Sequence, residues 1–79
     1  MEDPLLRRRI REKLATGQLP RTPPAKVWAG TATRKTCAAC DTVIEESDIE
    51  VELETGPGET FYLHRRCHEV WSEERARTA

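Results

Sequence analysis

The chain has 79 residues, of which 37% are hydrophobic and only Trp28, Phe61, Tyr62 and Trp71 are aromatic, and its formal net charge is −1. That suffices for one small domain but leaves too little apolar material for a self-sufficient core, so a staple is expected: disulfides, a metal or a partner chain. Three cysteines cannot all pair within one chain, and no stretch approaches the roughly 20 apolar residues of a membrane helix.

The first residues, MEDPLLRRRIREKL, carry acids at once and hold no apolar run of signal-peptide length. The expectation is a cytoplasmic protein with reduced thiols, in which a metal is the staple. Residues 1–36 hold nine basic against three acidic residues, a balance of +6, whereas residues 37–79 hold four against eleven, a balance of −7. A basic arm is therefore joined to an acidic module, an asymmetry that bears on partners more than on fold.

Asp3-Pro4 is a helix start, with Asp3 placed to cap free N–H groups and Pro4 suited to the first turn. Leu6, Ile10 and Leu14 recur every four residues, which predicts an amphipathic helix over 4–16 within a basic segment 1–17. Gly17 and Pro20 stop it. Such a short helix is marginal alone and should dock on something.

Residues 18–36 read as a linker, with Pro20, Pro23 and Pro24 close together and small or polar residues after them. Trp28 is its exception. It either packs over the adjoining module or stands as an exposed partner contact. The Pro20/Pro23 spacing also fits a polyproline ligand, though weakly.

A zinc-binding module is predicted over 37–79. Ile49 to Glu54 alternates strictly, as in a half-buried strand with its acids facing water. Thr55-Gly56-Pro57-Gly58 is a turn by composition. Thr60-Phe61-Tyr62-Leu63 returns as the second arm of a hairpin, with Phe61 and Leu63 on one face. After His64 a helix is expected with Cys67, Val70 and Trp71 on one side, and with Arg65/Glu69 and Glu73/Arg77 as i,i+4 pairs.

The chemistry lies in two pairs of equal spacing, Cys37-Ala-Ala-Cys40 before the hairpin and His64-Arg-Arg-Cys67 after it. Zinc takes four N or S ligands in a tetrahedron, and three Cys with one His is a common structural set. Cys37, Cys40, His64 and Cys67 are thus the predicted Zn²⁺ ligands, in the order knuckle, hairpin, helix. His68 is the alternative fourth ligand, but on a helix it points roughly 100° away from Cys67. The same divergence argues against Cys67 and His68 as nucleophile and base. Four protein ligands leave no open position for water, so no enzyme is predicted. A redox pair at Cys37/Cys40 would need a βαβ setting that is missing here. Three thiolates around Zn²⁺ carry formal charge −1, which Arg65 and Arg66 could offset.

The arrangement Cys37-x2-Cys40 … His64-x2-Cys67 resembles the first zinc half of a LIM domain in ligand order and spacer length. It is also similar to treble-clef zinc fingers, and because Val70 stands where a second LIM zinc half would begin, a single treble clef fits better. HRRCHEVW is further similar to a group of small bacterial proteins, a resemblance that brings no activity with it. The resemblance implies a small α+β fold of knuckle, hairpin and C-terminal helix, and LIM modules imply protein binding. Treble clefs serve several functions, so fold alone does not choose.

The leading functional expectation is a protein-interaction or adaptor module, with Trp28, Arg7, Arg8 and Arg11 as candidate partner contacts. The alternative is a nucleic-acid-binding or transcriptional regulator using the basic N-terminal arm. A zinc enzyme or thiol switch comes third.

Overall fold

The computed structural model describes residues 3–78. Its elements run α1 (Asp3–Thr16), β1 (Lys26–Thr31), β2 (Ile49–Gly56), β3 (Glu59–His64) and α2 (Arg65–Thr78). Together they form a small α+β arrangement of two helices and a three-stranded antiparallel sheet with β2 in the centre.

The four-residue recurrence in α1 does what it predicts. Leu6, Ile10 and Leu14 are buried, while Leu5 beside them stays 57% exposed. This stripe packs against α2. At its C-terminus Gly17 takes φ 81°, a left-handed conformation that glycine adopts without steric cost. The freed carbonyls of Lys13 and Leu14 accept from Leu19 N–H at 3.1 Å and Arg21 Nε at 3.0 Å. The carboxylate of Asp3, expected to cap the helix, is instead engaged by Arg66 of α2.

The segment expected to be a linker over 18–36 holds a strand. β1 pairs with β2 in register from Lys26↔Glu54 to Thr31↔Ile49. Leu19 and Ala32, on either side of β1, are buried. β1 escapes a reading by periodicity because it is an edge strand with all six residues exposed. Neither face imposes an apolar alternation.

β2 and β3 form the expected hairpin. Val51 faces Leu63 and Leu53 faces Phe61 across the ladder, which puts these residues on the core side. The turn is Pro57-Gly58 with Gly58 at φ 79°, the residue order of a type II turn. The acids of β2 depart from expectation: Glu50 is buried and Glu52 and Glu54 are half-buried. Glu50 tolerates burial because its Oε1 accepts from both Thr33 N–H (3.1 Å) and Thr33 Oγ1 (3.0 Å).

On α2, Cys67, Val70, Trp71 and Glu74 are buried at i, i+3, i+4 and i+7, so one helical stripe ties the candidate ligand to the core. The Trp71 indole N–H donates to the Pro20 carbonyl at 3.0 Å, pinning the chain that leaves α1. The two expected i,i+4 pairs are not formed. Arg66 takes Glu69, Glu73 pairs with Arg7, and Arg77 leans toward Glu74. For the second pair the buried Glu74 matters, since it draws Arg7 (3.0 Å) and Arg11 (3.2 Å) across from α1. No described helix is long and apolar enough to cross a membrane.

Candidate metal centre

Cys37 and Cys40 sit in a small ribbon that the sequence reading did not anticipate. Ile44 N–H donates to Lys35 O at 2.8 Å and Cys37 N–H to Thr42 O at 2.8 Å, with a Thr36↔Val43 bridge between them. The chain turns through Cys37-Ala-Ala-Cys40 and closes with Asp41 N–H on Cys37 O at 2.9 Å. Asp41 takes φ 63°, a conformation that Asp tolerates better than most residues. Ala38 N–H then donates to Tyr62 O at 2.8 Å, which joins the knuckle to β3.

That junction carries the knuckle to His64, the last residue of β3, and to Cys67 in the first turn of α2. The ligating atoms of Cys37, Cys40, His64 and Cys67 all lie within 4.8 Å of one another. His64 Nδ1 is 3.4 Å from Cys40 Sγ and 3.9 Å from Cys67 Sγ. A tetrahedral ion with ordinary zinc–sulfur and zinc–nitrogen bonds sets S···N edges of about 3.6 Å. The two distances bracket that value, and with the remaining separations within 4.8 Å the four side chains could hold a metal ion.

Without a cation the Cys37 and Cys67 thiols share a hydrogen bond and do not ionise independently. A hydrogen bond from Cys67, helped by backbone N–H groups, pulls Cys37 down to about 4, while the same contact, burial and the nearby sulfurs push Cys67 well above the usual thiol range. A bound cation reverses that penalty and lets all three act as thiolates.

Two outer groups stand beside the ligands, and neither carries a local motif. Thr42 Oγ1 lies 3.0 Å from Cys40 Sγ. Asp48 Oδ2 lies 3.7 Å from His64 Nε2, on the side of the ring away from the sulfurs. A carboxylate behind a ligating histidine fixes its tautomer and orientation. No local motif marks either residue, since both positions follow from the loop that closes between the knuckle and β2.

His68 is not among the four. Its ring lies against Trp71, with centroids 5.8 Å apart, and burial keeps its pKa below the ordinary value. Arg65 and Arg66 border a cavity of about 510 Å³ that Cys40, His64 and Cys67 also line. Arg66 is held there by Asp3 and Glu69.

The cations that reach the knuckle come from α1. Lys13 Nζ donates to Ala38 O and to Asp41 Oδ1, both at 2.7 Å, and Arg9 donates to Cys40 O at 3.3 Å. Of the candidate partner contacts, Trp28 is 47% exposed on β1. Arg7 and Arg11 are engaged with Glu73 and Glu74, and Arg8 pairs with Glu12 in its own helix.

No family model, no curated protein and no solved structure matches the chain.

Proposed function

We propose that this chain is a structural zinc module that works by binding another protein, as a small adaptor or regulator. One observation carries the zinc reading: three sulfurs and one imidazole nitrogen, drawn from a knuckle and from a strand–helix junction, meet within 4.8 Å. Zn²⁺ prefers this donor set, and four protein ligands make a closed site of the structural rather than the catalytic kind. The sequence of knuckle, hairpin and helix supports a treble-clef assignment, here with an additional strand and helix ahead of the knuckle.

Protein binding is supported by β1. It lies at the edge of the sheet with every residue exposed, and it presents Val27 and Trp28 to solvent at 48% and 47% exposure. An open edge with an aromatic anchor is a surface on which another chain can add. The nucleic-acid reading loses support because α1 turns most of its cations inward: Arg7, Arg9, Arg11 and Lys13 all meet acids of the following module.

Zinc content, with a folding signal followed during chelation, tests the first half of the reading. Capture of the same partner by the parent and by Trp28→Ser tests the second. A partner lost on substitution, with zinc content and fold unchanged, supports β1 as the docking edge. Salt-sensitive binding to random duplex DNA would favour the nucleic-acid reading instead.

A further inference from the structure

From the placement of α1 we infer that this helix is an outer cap of the metal centre, with Lys13 and Arg9 holding the knuckle and offsetting the charge of its thiolates. The inference rests on the zinc reading above and assigns the basic helix a task inside the molecule.

Lys13 is the stronger of the two. Its side chain is only 12% exposed although it ends in an ammonium group. A side chain so largely covered holds its ammonium in place through hydrogen-bond partners. Its partners are Ala38 O, inside the Cys37–Cys40 turn, and Asp41 Oδ1, directly after that turn. Arg9, four residues earlier on the same face, donates to Cys40 O and lies 3.5 Å from Asp41 Oδ2. One helix face therefore holds the carbonyls of two knuckle residues, Ala38 and Cys40, and the acid that takes the left-handed conformation. These groups fix the turn that aims both sulfurs inward.

Electrostatics point the same way. A Cys₃His site around Zn²⁺ carries a net negative charge, and the module around it is acidic. Arg66, between two ligands in sequence, faces Asp3 and Glu69 instead. Lys13 and Arg9 enter from the knuckle side. Metal retention and the docking of α1 are then linked, and by reciprocity whatever loosens one loosens the other. The open cavity beside Cys40, His64 and Cys67 gives a chelator its approach. Release of α1 would uncover Leu6, Ile10 and Leu14 together with Glu74.

The test is competition for Zn²⁺ with a chromophoric chelator, using the full chain. Lys13→Met should weaken zinc binding by about tenfold, the low end of what outer-shell changes cost a metal site. Lys13→Arg should restore most of it, and Arg9→Met should give a smaller loss in the same direction. Arg8→Met, on the same helix but paired with Glu12 of that helix, should leave affinity unchanged. Arg9→Met keeps the test readable should Lys13→Met fail to fold. Affinities of the Lys13 and Arg9 variants equal to that of Arg8→Met would overturn the inference while leaving the zinc site standing. A parent chain that takes up no zinc would overturn both.

Discussion

Lys13 Nζ lies 2.7 Å from the carbonyl oxygen of Ala38, twenty-five residues further along the chain. The contact joins the basic helix to the turn that carries two of the four candidate ligands. It is one of the links through which a half with a charge balance of +6 meets a half with a balance of −7. Four cations of α1 meet acids of the module that follows it. Lys13 and Arg9 do this at the knuckle, and Arg7 and Arg11 do it at Glu74.

Substitutions of His64 and His68 should separate cleanly. His64→Ala should lower zinc content and abolish the cooperative melt, because Nδ1 is one of the four candidate donors. His68→Ala should leave zinc stoichiometry at one per chain and remove only its packing against Trp71. Elemental analysis of both purified variants is the check. Equal zinc loss in the two would mean that the ligand was misassigned.

Asp48→Asn should weaken zinc binding by about tenfold without altering the far-ultraviolet spectrum of the loaded protein. The carboxylate stands behind His64 Nε2 at 3.7 Å, on the far side of the ring from the sulfurs. Chelator competition reads the affinity. No change would show that the ring is held by its own packing.

Glu74→Ala should destabilise the zinc-loaded chain by about 1–3 kcal/mol, the range for losing a charged, buried hydrogen-bonding group. The side chain is 1% exposed and draws two arginines across from α1. Urea denaturation measures this, and an unchanged midpoint would place the hold on α1 in Leu6, Ile10 and Leu14 alone.

Trp28→Thr should change stability by no more than about 0.5 kcal/mol, since Trp28 is half exposed on an edge strand and threonine suits a strand. Partner binding should fall while the thermal melt stays in place. A large drop in melting temperature would instead make Trp28 a folding residue.

Parts of this fold are legible in the sequence because they follow local rules. The spacing of Leu6, Ile10 and Leu14 marks α1, the alternation from Ile49 to Glu54 marks β2, and the two x2 pairs mark the four atoms that meet. What is hidden is long-range. β1 shows no pattern because both of its faces meet solvent. Glu50 and Glu74 look like solvated charges until Thr33, Arg7 and Arg11 arrive from elsewhere in the chain. Arg65 was expected to pair with Glu69, but Arg66 reaches that carboxylate and also binds Asp3. Nothing local to Lys13 or Arg9 names Asp41 as their partner.

The most direct measurement is the thermal melt of the zinc-loaded chain before and after a strong chelator, with zinc counted in each sample. Structural zinc in a domain this small supplies the folding free energy itself. The account predicts one zinc per chain, a cooperative melt that vanishes on chelation, and its return when Zn²⁺ is restored. A zinc-free chain that keeps the same cooperative melt would contradict it.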